Sequence, residues 1–345
     1  MADDDAPLRE PDVLSGVPYP EQTGRLVGHA DALQGLIAQY DAKRPPSGVL
    51  IHGPRGIGKA TLAFAVARHV LEKTGDESAE RVAAQIAAGS HPNVRVLRRT
   101  IDEKTKKFHT VIRVKEVRDT TAKAHQTRGR AGHRFVIVDS IDNANTESDN
   151  ALLKVLEEPP NDMTFILVSH RPSALPPTVL SRTQKLALRP LSNAEVAEIL
   201  AHSGAGGLSL QQAVALAQGR PRRGFEALAV AGVKTMTVLL DWLKAPALQP
   251  LKAHLDLADA LGAARDSAET KFARDLIVDW IAAEARAAAL AGEGARLASA
   301  NRLWDKARTL FAEVDVYNLD MRQTLTALFD AIRNHLIESP AAASP

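Results

Sequence analysis

Residues 53–61 read GPRGIGKAT. The stretch follows the pattern G-x-x-x-x-G-K-[ST]. In it, glycines let backbone N–H groups close around a phosphate and the lysine reaches the β- and γ-phosphates. One position departs from the pattern: Ala60 follows Lys59, and the hydroxyl arrives one residue late, at Thr61. Three readings are open on this stretch alone: a working ATPase, a nucleotide-binding relic, or a glycine turn without a ligand.

The flanks supply the context that a phosphate loop needs. Gly48–His52 (GVLIH) is a short apolar run consistent with a buried strand, and 60–73 reads as a helix. Working outward, Leu26, Val27, Ala30, Leu33, Leu36 and Ile37 recur at helical spacing over 26–42, until Pro45 and Pro46 end the run. Residues 93–97 (NVRVL) and 110–114 (TVIRV) read as strands around the charged turn DEKTKK, and 115–124 as a helix. Arg134–Asp139 (RFVIVD) is an apolar strand ending in a carboxylate. A helix starting near Thr146 runs through ALLKVLEE until Pro159 stops it, and 164–169 (TFILVS) and 185–188 read as further strands. Strands that are apolar throughout and alternate with helices imply a parallel sheet covered on both faces. From about residue 190 almost everything reads helical, with boundaries near Pro190 and Gly232.

Bulk properties fit this layout. The chain has 345 residues, 45% apolar and 24% charged, with only 4% aromatic. That is ordinary globular composition, and the length suggests roughly two to three domains. Net charge is +2, so any nucleic-acid contact must come from a local patch. The sequence holds no cysteine, which excludes disulfides and thiolate zinc sites. The acidic N-terminus does not read as a signal peptide, and no run approaches the ~18 apolar residues of a membrane span. A cytoplasmic protein is expected.

Asp139 is placed to hold magnesium through water. The next residue, where ATPases of this layout usually carry a glutamate that orients the attacking water, is Ser140. Asp142 stands two residues on, and strand-to-loop geometry does not obviously bring it back. Ala60 and Ser140 together remove two separate parts of a hydrolytic site. Between residues 95 and 134 stand 13 Lys or Arg and 4 acids, a local excess of nine positive charges. Such a run can be a solvated face or a site for DNA phosphates, and Lys115, Arg118 and Lys123 on the expected helix are the candidates. Only Phe108 is aromatic there, so base stacking is not expected. Trp242, Trp280 and Trp304 lie in Ala/Leu-rich helical stretches and read as packing residues.

Two segments carry a family resemblance. Asn150–Pro160 (NALLKVLEEPP) and Phe165–Arg182 (FILVSHRPSALPPTVLSR) resemble the clamp-loader branch of the AAA+ proteins, with matching motifs over about residues 18–230. Beyond that the likeness is one of length and helical character. The resemblance implies an α/β AAA+ P-loop parallel sheet domain over 21–190, a small helical lid over 191–232 and an all-α collar over 233–337. A flexible leader (1–20) and a disordered tail (338–345) complete the division.

The resemblance also implies roles. Ser181-Arg182-Thr183 stands where the family has Ser-Arg-Cys, so Arg182 would act in trans as an arginine finger in a neighbouring subunit's site. Gly53, Gly56, Gly58, Lys59, Ala60, Thr61 and Asp139 would line this chain's own nucleotide site, with Arg222 as the lid's matching arginine. Leu26–His29 matches an adenine-side box, and Ser169 and His170 fall at the family's sensor position. The loop could hold ATP or ADP with magnesium, or stand without nucleotide. No other metal is implied. Many relatives carry a four-cysteine zinc module after the first helix; with no cysteine, 72–89 must hold itself by helix packing.

The implied function is that of a non-catalytic stator in the clamp loader of bacterial DNA polymerase III, a component of the DNA-directed DNA polymerase (nucleotidyltransferase) holoenzyme. It would assist ATP-dependent loading of the sliding clamp onto primed DNA during replication, without ATPase activity of its own. Implied partners are motor subunits of the gamma/tau type and a delta subunit in a hetero-pentamer, primer–template DNA and, indirectly, the clamp. The alternatives are an active AAA+ ATPase (a motor subunit or a recombination helicase) and, less well matched, a P-loop nucleotide kinase.

Overall fold

A computed structural model of the chain describes residues 13–102, 104–105, 107–124, 130–160, 162–202 and 210–338. Residues 339–345 of the expected tail and residues 1–12 of the expected leader lie outside the described residues, while Glu338 closes the last helix. Two compact units divide between Phe225 and Glu226.

The first unit opens with α1 (Ala30–Asp41), β1 (Gly48–His52), α2 (Lys59–Thr74), α3 (Ala79–Ala88) and β2 (Val94–Leu97). It continues with α4 (Val114–Ala124), β3 (Arg134–Asp139), α5 (Thr146–Glu157), β4 (Met163–Ser169), α6 (Pro177–Ser181) and β5 (Gln184–Ala187). Helices α7 (Asn193–Ala201) and α8 (Leu210–Ala217) follow, and α9 (Pro221–Ala229) spans the division. The five strands are all parallel, in the order β2-β3-β4-β1-β5. The unit is α/β, a five-stranded parallel sheet with the glycine loop between β1 and α2.

Both faces of the sheet are covered, which is why its central strands read as unbroken apolar runs. Val49, Ile51, Phe135, Ile137 and Ile166 point to one side and pack with Leu62, Val66 and Val70 of α2 and with Val82 and Ile86 of α3. Leu50, Val136, Val138, Phe165 and Leu167 point to the other and meet Val117 of α4, Leu152 and Val155 of α5, and Val179 of α6. All seven residues of β4 are buried.

Two sequence expectations are corrected. The helix read over 26–42 begins only at Ala30, because Gly28 (φ 74°) and His29 (φ 55°) take the left-handed conformation and turn the preceding box away from the helix axis. Residues 110–114 are not a strand. Ile112 makes a lone parallel bridge to Ala144, its N–H donating to the Asn143 carbonyl, and Val114 already begins α4. The apolar alternation there reflects one fully buried isoleucine beside a helix start. Ser148 Oγ secures it by donating to the Ile112 carbonyl at 2.7 Å.

Helix packing holds the segment after α2, with Val82 and Ile86 in the core, and an ionic hub adds to it. The nearly buried Glu77 carboxylate pairs with Arg81 and Arg130, each at 2.8 Å, and lies 3.6 Å from His91. Gly132, at φ 104°, lets this corner close: a Cβ there would stand 3.2 Å from the Gly75 backbone.

The second unit contains α10 (Lys234–Lys244), α11 (Leu251–Gly262), α12 (Ala268–Leu290), α13 (Gly294–Tyr317) and α14 (Met321–Glu338). Trp242 is buried with its ring centroid 4.6 Å from that of Phe329, and Leu257, Ile277, Leu325 and Leu328 of the same unit are buried as well. Trp304 is only partly buried, with the Arg308 guanidinium over its ring at 4.7 Å. Among the described residues no helix is long and apolar enough to cross a membrane.

Candidate functional site

The loop between β1 and α2 needs its glycines for steric reasons that differ along it. At Gly53 (φ 149°) a Cβ would lie 2.4 Å from the Leu188 carbonyl oxygen, so β1 can turn beside β5 only without a side chain. Gly56 (φ 81°) would place its Cβ 2.7 Å from that of Arg222. Gly58 (φ 96°) caps α2 in a left-handed conformation, which favours glycine. Two other segments fasten the loop from outside. The His29 ring meets the Ile57 carbonyl through Nε2 at 2.8 Å, and the Arg222 backbone N–H donates to the Gly56 carbonyl at 3.3 Å.

This loop forms one wall of a cavity of about 680 Å³. Gly56, Gly58, Lys59, Ala60, Thr61, Asp139 and Arg222 all line it, so the structure brings together every sequence-predicted nucleotide-site residue except Gly53. Gly53 stands behind the wall and acts through its turn. The stretch 13–27 forms much of the opposite side. Arg68 pins that stretch by donating to the carbonyls of Glu21, Thr23 and Gly24.

Lys59 is the chemical centre. Its side chain folds back over the loop, and Nζ donates to the carbonyls of Gly53 at 2.8 Å and Pro54 at 2.6 Å. The residue is only 3% exposed. Burial pulls the ammonium down to about 8, against the opposing attraction of Asp139 and Asp142.

Asp142, which sequence reasoning left aside, lines the cavity as well. Its carboxylate is already committed. It accepts from Ser169 Oγ at 2.9 Å and from the backbone N–H groups of His170 at 2.6 Å and Arg171 at 3.2 Å. It therefore ties the end of β3 to the end of β4 instead of facing a water. Ser140 is buried and donates to the same carboxylate at 3.3 Å. The sequence reading also missed Arg98, counted there only as part of a basic run. Its guanidinium pairs with both oxygens of Glu21 at 2.9 Å and lies 3.7 Å from Asp139. Arg98 stands directly after β2 at the same end of the sheet as Asp139, and that placement is the one signal that could have found it.

The remaining predicted residues lie elsewhere. Arg182 caps the end of α6, is exposed and does not line the cavity. It pairs with Glu157 at 2.7 Å and donates to the Thr178 carbonyl. Thr183 is buried and bonds back to Val179. Lys115 and Arg118 are exposed, three residues apart on α4, while the Lys123 side chain lies outside the described residues. Part of the basic run is spent internally: Arg98 on Glu21, Arg113 on Glu116 and Arg130 on Glu77.

The buried ammonium has a measurable signature. Below pH 8 Lys59 is charged in both the folded and the unfolded chain, and its burial cost is present in full. Between pH 8 and 10.5 the unfolded chain still holds the proton and the folded one does not, so stability rises with pH across that window. The shift corresponds to about 3 kcal/mol. Urea unfolding of the native chain and of Lys59→Met at pH 7 and pH 10 should show the native chain gaining on the variant at the higher pH. A stability difference that stays constant with pH would rule out a buried, charged Lys59.

Comparison with known proteins follows the same lines. The family described as "DNA polymerase III, delta subunit" matches residues 28–192. The chain is 39% identical over 137 residues to DNA polymerase III subunit delta' of Pseudomonas aeruginosa, covering 39% of this chain and 40% of that one. It is 32% identical over 159 residues to the delta' subunit of Escherichia coli, covering 45% and 46%. Subunit tau of Escherichia coli matches at 27% over 185 residues, covering 53% of this chain and 28% of tau. The matched stretch thus spans less than half the length of these curated relatives. A gamma subunit-related protein of Thermotoga maritima aligns over 88% of this chain and 99% of its own at a TM-score of 0.40 and 16% identity, too distant to add to the fold assignment. Residues 28–192 of this chain, the segment that builds the phosphate loop and its sheet, are thus similar to the DNA polymerase III delta-type subunits.

Proposed function

We propose that this chain is a stator subunit of the delta-prime type in a DNA polymerase III clamp loader, assisting the ATP-dependent loading of the sliding clamp onto primed DNA. The observation that carries the reading is a division of labour within one unit. The cavity keeps the cradle, Lys59 and Asp139, yet Ala60 offers no hydroxyl, Ser140 offers no base and Asp142 is tied to the β4 end. A serine hydroxyl is far too weak a base near neutral pH to orient and activate water. Arg182, in contrast, is presented on the surface away from that cavity.

A finger must be able to leave its resting contact. The pair Arg182–Glu157 is solvent-exposed, with about a third of the arginine side chain and half of the glutamate side chain accessible. Exposed pairs of this kind are worth about 0–1 kcal/mol, so a γ-phosphate of an adjoining subunit can outcompete the carboxylate. In this reading the AAA+ domain runs over 21–190, the lid over 191–232 and the collar over 233–337. The collar assembles with gamma/tau-type motor subunits and a delta subunit in a hetero-pentamer in the cytoplasm. Exposed apolar side chains such as Leu248, Leu290 and Val316 support an assembly role for the helical unit. An active ATPase is disfavoured by Ala60 and Ser140, and a nucleotide kinase gives no reason for the 150–160 segment or for Ser181-Arg182.

Arg182→Ala should leave the reconstituted complex assembled by gel filtration. It should slow hydrolysis at the adjoining motor site by on the order of a thousandfold in single turnover. Unchanged DNA-stimulated turnover would refute the role of Arg182. For DNA, replacing exposed Lys115 and Arg118 together with Lys123 by alanine should weaken primer–template binding. The slope of log K against log salt should become shallower by about one for each phosphate contact removed. An identical slope would return these residues to a solvated face.

A further inference from the structure

The nucleotide site implied by the family would take magnesium, and the residues present do not fit that ion. The hydroxyl that should bind it is replaced by Ala60, and the carboxylate that should remain is already facing a cation. Asp139 Oδ2 lies 3.7 Å from Arg98 Nη2, with Arg98 only 10% and Asp139 14% exposed in their side chains. A guanidinium cannot lose its proton, so this positive charge is permanent. It is also fixed in place. Arg98 forms a two-pronged pair with Glu21, both bonds 2.9 Å, and its guanidinium sits 5.7 Å from the centre of the Phe64 ring. Glu21 in turn is held through its carbonyl by Arg68. Glu21 offsets that charge, so the obstacle to a divalent ion is occupancy: the Asp139 carboxylate already faces a guanidinium held in place, and Ala60 offers no hydroxyl to complete a metal's shell.

The rest of the cavity keeps the features of an anion site. Arg55, Lys59, Arg99 and Arg222 line it with the start of α2, whose first N–H groups have no side-chain cap. The 16-residue helix adds its dipole to that end. Val17, Tyr19, Val27 and Ile199 give the remaining wall an apolar character suited to a base.

We propose that the cavity is a metal-independent site for a nucleoside di- or triphosphate, in which Arg98, shared with Glu21, stands in the place of magnesium beside Asp139. Arg98 occupies the flank of Asp139 that a metal would need, Lys59 attracts the same carboxylate, and Lys59 and the loop N–H groups hold the anion. Bound nucleotide then fills the space between the loop and the 13–27 segment as a structural ligand. The proposal does not depend on the finger role of Arg182, whose test reads a different subunit's site.

The test is a titration of the full-length chain with a fluorescent ADP analogue, followed by anisotropy, in magnesium and again in EDTA. The affinities should agree within about twofold. Affinity at least about tenfold higher in magnesium would overturn the proposal, and so would the absence of binding under both conditions. A second measurement uses Arg98→Met, which keeps an unbranched stem and removes the guanidinium and its charge. If the variant folds, it should acquire a magnesium dependence of about tenfold or more; a folded variant that stays indifferent to magnesium contradicts the role assigned to Arg98. If it does not fold, manganese binding to the native chain, read by electron paramagnetic resonance with ADP present, decides instead. No bound manganese is expected, and a stoichiometric bound ion overturns the proposal.

Discussion

The ammonium of Lys59, all but removed from water, is the constraint around which the first unit is arranged. An amine so placed must be compensated, and the fold supplies partners from two directions. Two carbonyls of its own loop accept its protons, and Asp139 and Asp142 attract it from the end of β3. The sheet order makes this geometry: β1, which leads into the loop, lies beside β4, and β4 lies beside β3. The same adjacency lets Asp142 clasp the end of β4 and lets Arg222 and His29 brace the loop from outside. Removing the lysine's charge would therefore disturb more than one contact, and adding a side chain at Gly53 or Gly56 would displace a neighbouring segment.

That arrangement preserves an anion cradle and dismantles the means of using it. Ser140 donates to Asp142, Asp142 is bound to the β4 end, Ala60 contributes nothing to a metal, and Arg98 occupies the flank of Asp139. These are separate physical losses, carried by different elements. Their coincidence in one cavity supports the reading that the chain's own site is a fixed joint, while Arg182, the arginine proposed to act in a neighbouring site, is exposed just past α6.

The sequence disclosed the parts of this picture that local chemistry specifies. Gly53, Gly56, Gly58 and Lys59 declare a phosphate loop because turn geometry demands those residue types in that order. The runs at 48–52, 134–139 and 164–169 read as buried strands because they are short, continuously apolar and bounded by turn residues, as a sheet covered on both faces requires. What stayed hidden depends on partners distant in sequence. Arg98 was one basic residue in a run of many until the fold brought Glu21 and Asp139 to it. Residues 110–114 imitate a strand, yet a single buried isoleucine and a helix start produce the same alternation. The resting contact of Arg182 with Glu157 depends on how α5 and α6 pack, and no spacing rule encodes it.

The central claim is that this chain holds a phosphate cradle without hydrolysing nucleotide. The most direct measurement is ATP turnover by the purified chain alone, beside its Lys59→Ala variant. The account predicts no turnover above background for the native chain, and no difference between the two. Sustained turnover that Lys59→Ala abolishes would contradict it.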